Sequence, residues 1–218
     1  MKVLLIANGQ CNVALPDPAY FDCVIAVDGG GNYADLAGII PHIVIGDGDS
    51  LASSVQQKWQ DREVPFCLFQ KDKDQTDLEI ALLWAKEHGM TEGVIYGALG
   101  GRVDQSMANM TLLADDRFST CQLAFVHNTT RLCCVRSEIV LHDAIGDTLS
   151  LLSSGAEPSR ITIRGCQYTL ENTPLRYVTH GMSNIITEPS AQVIVHTGRI
   201  FVFHLSCSAE TNSSAFSP

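Results

Sequence analysis

The stretch CVIAVDGGGNYADLAGIIPHIVIGDGDSL, residues 23–51, decides the fold class. Two short apolar runs, Cys23–Val27 and His42–Ile45, each end against glycine and aspartate: Asp28 with three glycines after the first, Asp47 and Asp49 after the second. Apolar runs this short, closed by turn residues, read as buried strands rather than helices. The segment between them is long enough for a crossover helix, which makes the two strands parallel neighbours.

The same grammar extends in both directions. Val3–Ala7, Val64–Phe69, Gly93–Tyr96 and Gln122–Val126 are further strand candidates. DLEIALLWAKEHG repeats apolar groups at 78, 81, 82 and 85 and stops at Gly89, and VDQSMANMTLLADD repeats them at 103, 107, 110 and 113. Both are helical stripes. Strands alternating with helices predict a three-layer α/β domain on a mainly parallel sheet, residues 1–130.

Beyond that point the period changes. Ser137–Leu141, Thr148–Leu152, Arg160–Arg164, Leu175–Thr179, Ala191–His196 and Arg199–Leu205 read as short strands with glycines between them. Residues 131–207 are therefore expected to form a small antiparallel β-sandwich or barrel. The polar residues 208–218 are expected to be a flexible tail.

Composition narrows the function. The chain has 218 residues, 45% of them hydrophobic, with 14 basic against 24 acidic groups and a net charge of −10. A basic nucleic-acid binder is excluded as the leading reading, although an acidic protein can hold phosphates through bridging metal ions. No run approaches the roughly 20 apolar residues of a membrane span, and MKVLLIANG reads as a first strand rather than a signal segment. The eight cysteines lack a CxxC spacing, and several sit inside apolar runs. They are expected to be reduced thiols in a cytoplasmic protein, with no zinc site.

The acidic groups fall where chemistry would use them. Asp28, Asp47 and Asp49 each follow a strand, and Ser50 is placed to cap the next helix. In KDKDQTDLEIAL, residues 71–82, Thr76 and Glu79 form a capping box with Asp77 in the first turn, while Lys71 and Lys73 stand among Asp72 and Asp74. In YGALGGRVDQSMANM, residues 96–110, Arg102 and Asp104 open a helix whose Gln105 and Asn109 share one face. Open parallel sheets bind ligands at the carboxyl ends of their strands, so these clusters are expected to converge on a Mg2+–polyphosphate site. A tight turn at Asp28, a solvated acidic turn at 47–49, simple capping at 76–79 and a surface ion pair at 102–104 are the competing structural readings.

At this point the chain resembles the thiamine pyrophosphokinase family. The matching segments are NG at 8–9, DGG at 28–30, GDGDS at 46–50, KDQTDLEIAL at 73–82, GALGGRVDQSMAN at 97–109, GDTLSLL at 146–152, YTLEN at 168–172 and GMSN at 181–184. The resemblance implies an ATP- and Mg2+-dependent transferase that moves pyrophosphate from ATP to thiamine, giving thiamine diphosphate and AMP, in a homodimer. It implies Asp47, Asp49 and Asp77 as metal ligands with Asp28 supporting them. It further implies Asn8, Asp28, Gly29, Lys73, Thr76 and Arg102 around ATP, and Gln105, Asn109, Tyr168, Ser183 and Asn184 around thiamine. Arg102 with Asp74 or Asp104 would serve the transfer itself. Two departures stand out: Gln105 occupies a position where the family pattern GGRxDH carries histidine, and Tyr168 is followed by Thr169 rather than proline. A related pyrophosphokinase for another small alcohol and a non-catalytic nucleotide sensor are the alternatives.

Overall fold

The structure, a computed structural model, describes residues 1–69, 74–176, 180–207 and 216–217. It divides into two compact units, Met1–Asn128 and Thr129–Pro218.

The first unit runs β1 (Lys2–Ile6), β2 (Cys23–Val27), α1 (Gly30–Leu36), β3 (Ile43–Gly46), α2 (Ser53–Gln60), β4 (Phe66–Leu68), α3 (Asp77–Glu87), β5 (Glu92–Tyr96), α4 (Val103–Ala114) and β6 (Gln122–His127). Its strands lie in the order β6-β5-β1-β2-β3-β4, all parallel. Every residue of β2 and β3 is buried, as expected of strands covered on both faces. On one face Leu4, Ile6, Val24, Ala26 and Val44 pack with Ala34 of α1 and with Val55 and Trp59 of α2. The alternate residues Leu5, Ile25 and Ile45 point the other way and are equally buried. Leu78, Ala81, Leu82 and Ala85 form the buried stripe of α3, which packs against β2 and β3. The result is the three-layer parallel domain that the alternation predicted.

The chain builds outward from β1 through β2, β3 and β4, then returns to the opposite side of β1 with β5. The carboxyl ends of β1 and β5 therefore mark a topological switch point, where such sheets open a crevice. Here the backbones nearly touch. Gly9 N donates to Gly97 O at 2.7 Å. A Cβ built on Gly97, whose φ is +69°, would lie 2.2 Å from the Ala7 carbonyl oxygen.

The second unit is antiparallel. It contains β7 (Thr130–Val135), β8 (Glu138–His142), β9 (Thr148–Ser153), β10 (Arg160–Arg164), β11 (Leu170–Pro174), β12 (Gly181–Ile185), β13 (Ser190–Thr197), β14 (Ile200–Leu205) and the two-residue β15 (Phe216–Ser217). The orders are β12-β9-β14-β7 and β11-β10-β13-β8-β15. Alternate residues of β13 (Ala191, Val193, Val195) and β14 (Ile200, Val202) are buried, the mark of sheets with one covered face. Asp147 and His204 are buried together, Nε2 to Oδ2 2.6 Å apart, and Asp147 Oδ1 accepts from Cys207 N at 2.8 Å.

Three sequence expectations need correction. The strand expected at Leu175–Thr179 does not start there: β11 ends at Pro174, Leu175 and Arg176 lie outside any element, and the rest of that expectation, 177–179, falls outside the described residues. The segment LENTP carries little apolar pattern because β11 is an edge strand with an exposed centre. Ser50 does not cap α2; that helix starts two residues later with Ala52 at the N-cap, and Ser50 Oγ donates to Asp49 Oδ1 instead. The capping box of α3 is half formed. Thr76 Oγ1 accepts from Glu79 N at 3.2 Å, but the Glu79 carboxylate pairs with Arg117 and Gln75.

All eight cysteines are free thiols. Burial pushes Cys133 up to about 12 and Cys166 up to about 11, so both stay protonated and inert. Among the described residues no helix is long and apolar enough to cross a membrane.

Candidate functional site

Four strand ends and two helix starts build one cleft in the first unit, with a volume of about 470 Å³. β1 delivers Asn8 and Gly9, β2 delivers Asp28, and the loop after β3 delivers Asp47, Asp49 and Ser50. β5 delivers Gly97, Ala98 and Gly100, and the starts of α3 and α4 add Thr76, Asp77, Arg102 and Gln105. Helix starts carry unpaired N–H groups and a positive dipole end, so two of them at one crevice favour an anion.

Asp28 is the least ordinary residue here. It is 8% exposed, has φ +48°, and its Oδ1 is buried with no hydrogen-bond partner. Its backbone is held from both sides: N donates to Ile45 O at 2.8 Å, and O accepts from Gly31 N at 3.1 Å. One ligand oxygen from each of Asp28, Asp47 and Asp49 lies within 4.8 Å of the others. A buried carboxylate oxygen left bare beside two like charges is unfavourable unless a cation joins them.

The outer two carboxylates are locally ordered. Asp47 Oδ1 accepts from Asp49 N at 3.0 Å, and Asp49 Oδ1 accepts from Ser50 Oγ at 2.9 Å. Asp77 lines the same cleft from the first turn of α3, outside that trio. Hard oxygen ligands gathered without histidine or cysteine suit Mg2+.

On the opposite wall, Arg102 holds Asp104 through Nε at 3.1 Å and Nη2 at 2.5 Å. This pairing lowers the Asp104 carboxyl from its ordinary value and raises the Arg102 guanidinium. Asp104 is exposed and lies outside the cleft lining, as does Asp74. Asn109 reaches back to donate to Ala98 O at 2.7 Å, which fixes the glycine-rich loop after β5. Ser106, which the sequence did not single out, accepts from Gly100 N and donates to Arg102 O, both at 3.1 Å. Its place one turn after Arg102 was the available signal.

Gly29 does not line the cleft. A Cβ there would meet the Asn8 side chain at 2.5 Å, so its bareness makes room for Asn8, which does. Lys73, expected at the phosphates, lies outside the described residues together with Lys71 and Asp72.

The second unit carries a pocket of its own, about 410 Å³, lined by Tyr168, His180, Met182 and Asn184 among others. Tyr168 is 65% exposed. Asn184 is buried, and its side chain clamps the Tyr168 backbone, accepting from N at 3.0 Å and donating to O at 2.7 Å. Ser183 lies beside the pocket with φ +57°, its N–H donated to Ser150 Oγ at 2.9 Å.

Comparison with known proteins bears on both units. The family model "Thiamin pyrophosphokinase, catalytic domain" matches residues 20–125, and "Thiamin pyrophosphokinase, vitamin B1 binding domain" matches residues 136–200. A thiamine pyrophosphokinase of Bacillus subtilis is 36% identical over 117 residues, covering 52% of this chain and 55% of that protein. One from rice, Oryza sativa subsp. japonica, is 25% identical over 177 residues, covering 76% of this chain and 66% of that protein. The matches thus span little more than half to about two thirds of those curated relatives. A crystal structure of thiamine pyrophosphokinase from Bacillus subtilis superposes with a TM-score of 0.84 at 24% identity, over 95% of this chain and all of that one.

Proposed function

This chain belongs to the thiamin pyrophosphokinase family, and we propose that it transfers pyrophosphate from ATP to thiamine, yielding thiamine diphosphate and AMP. The observation that carries this reading is the convergence of Asp28, Asp47 and Asp49 in one cleft with Arg102 and two helix starts. That arrangement supplies cation ligands on one wall and phosphate donors on the other.

Because AMP leaves, the thiamine hydroxyl oxygen forms its bond to the β-phosphorus of ATP. The bond that breaks joins that phosphorus to the oxygen bridging it to the α-phosphate, and this oxygen departs with AMP. The bare Oδ1 of Asp28, with Asp47 and Asp49, fits Mg2+, and Asp77 stands in the same cleft for a water-mediated or second contact. When bound, Mg2+ supplies positive charge against the phosphate oxygens. Arg102 and the N–H groups of the loop after β5 would bind the phosphates and orient them.

No strong base is called for. Phosphoryl transfer passes through a loose transition state, so the hydroxyl proton departs late and can pass to water. Asp104 is held by Arg102 in its charged form with a lowered proton affinity, and Gln105 does not titrate. Orientation and charge therefore carry the catalysis in this reading.

Thiamine carries a fixed positive thiazolium, and the exposed ring of Tyr168 beside a mainly apolar pocket suits it. Replacing Tyr168 by alanine is expected to raise the thiamine KM by about tenfold, the size of a cation–aromatic contact, with the ATP KM unchanged. Equal weakening for both substrates, measured by steady-state kinetics, would remove Tyr168 from that role. Homodimerisation and a cytoplasmic location belong to the same reading, supported by the family resemblance and by the reduced thiols. The decisive assay supplies ATP, Mg2+ and thiamine to the purified protein and follows AMP together with thiamine diphosphate. ADP as the sole nucleotide product would overturn the proposed reaction.

A further inference from the structure

Asn32 sits in the first turn of α1, four residues after Asp28, and is not itself a lining residue of the cleft. Its side chain nevertheless ties together the two segments that carry the clustered carboxylates. Nδ2 donates to Ser50 O at 2.9 Å, and Oδ1 accepts from Ala52 N at 3.0 Å. The carboxamide thus pairs with the backbone on both sides of Leu51, as a neighbouring strand would, immediately after Asp49. At its other end Asn32 N donates to Gly29 O at 3.0 Å, one residue past Asp28.

The geometry matters because the carboxylates repel. With Asp28, Asp47 and Asp49 within 4.8 Å of one another, their like charges push against the packing of the loop that carries the last two. The bond from Asp49 N to Asp47, and that from Ser50 Oγ to Asp49, shape the loop internally. Asn32 attaches it to α1. The adjoining apolar contact points the same way, since a Cβ on Gly31 would fall 2.7 Å from Leu51 Cδ1, so loop and helix already lie in close packing.

We propose that Asn32 is a positioning residue that latches the Asp47–Ser50 loop to α1 and so preassembles the three-carboxylate cation site. The inference rests on the reading of Asp28, Asp47 and Asp49 as that site. Partners that orient metal ligands typically contribute about 10–100-fold to metal affinity, and a latch working against like-charge repulsion belongs in that range.

The test titrates Mn2+ as the probe into the nucleotide-free full chain, counting free ion by electron paramagnetic resonance. Asn32→Leu keeps the branched outline and removes both hydrogen bonds; Asn32→Gln keeps both groups on a longer stem. Asp49→Asn serves as the site control, and circular dichroism reports the fold of each variant. The expected result is a Mn2+ affinity lowered at least about tenfold in N32L, with partial recovery in N32Q. Wild-type affinity in folded N32L, with binding lost in D49N, overturns the latch and leaves the metal reading standing. Should N32L fail to fold, Asn32→Ala is read in its place, wild-type affinity there overturning the latch and a loss of affinity supporting it. Unchanged binding in D49N overturns the metal reading, and the latch with it.

Discussion

Asp28→Asn is expected to reduce turnover at saturating Mg2+ by on the order of 10²–10³-fold, yet to leave the metal-free protein at least as stable as the parent. The pairing of these two results is what makes the substitution informative. Asparagine keeps the shape of aspartate and tolerates the left-handed backbone better than other side chains, so the φ of +48° at this position carries no new strain. What changes is one negative charge, on a group 8% exposed whose Oδ1 has no hydrogen-bond partner. At the 4.8 Å limit of the cluster, each like-charge pair costs about 3 kcal/mol before solvent screening at the more exposed Asp49. Relief of even about 1 kcal/mol raises the melting temperature by about 2–4 °C in a chain of this size. The measurement is a pair of thermal melts, in chelator and in excess Mg2+, beside the turnover assay. A wild type stabilised by Mg2+ and a variant indifferent to it would place the charge of Asp28 in cation binding. A variant less stable than wild type in chelator would instead give Asp28 a structural task, and the cation site would have to be rebuilt without it.

The first unit was legible because its strands are buried on both faces. Such strands must be apolar throughout, and Cys23–Val27 or Gln122–Val126 advertise this without help from alternation. Edge strands carry no such burden. β11 reads LENTP and β12 reads GMSNI; both are held by backbone pairing to one neighbour and carry no apolar run that marks a strand. β7 was missed for another reason: only Asn128 and Thr129 separate it from β6, with φ of +51° at Asn128, and so short a connection leaves no run of turn residues to announce a new strand.

The site shows the same division. Asp28, Asp47 and Asp49 could be found because each follows a strand and a parallel sheet aligns strand ends. The surface ion pair that competed as a reading at 102–104 does form, but spacing along the chain could not show that Asp104 then lies outside the cleft lining while Arg102 stays in it. Nor could it show that Asn184, read as a substrate contact, has both polar atoms on the Tyr168 backbone sixteen residues away. Asn32 is the extreme case, because its partners Ser50 and Ala52 meet it only after β3 has been laid beside β2. Local chemistry predicts which residues can ligate; tertiary contacts decide which ones hold the ligands still.

The switch point between β1 and β5 makes the second large prediction. Gly97→Ala is expected to destabilise the first unit by about 3 kcal/mol or more, a sum of a left-handed backbone penalty of about 1–2 kcal/mol and the cost of parting two packed chains. The new methyl would lie 2.2 Å from the Ala7 carbonyl oxygen and 2.9 Å from its carbon, both backbone atoms just past a strand whose last four residues are buried. Neither can swing aside as a flexible side chain would. Relaxation must separate the ends of β1 and β5 or break the 2.7 Å bond from Gly9 N to Gly97 O, and either change moves Asn8 and Ala98 on the cleft wall. Gly38→Ala supplies the control. Its φ is +70°, almost the value at Gly97, but a Cβ there meets nothing within 4 Å. That substitution therefore carries the backbone penalty alone, about 1–2 kcal/mol, and should leave turnover intact. Denaturant unfolding of the two variants separates conformational strain from close approach. Equal destabilisation in both would mean that β1 and β5 have room to part at the switch point, and that the bare backbone there is not what shapes the cleft.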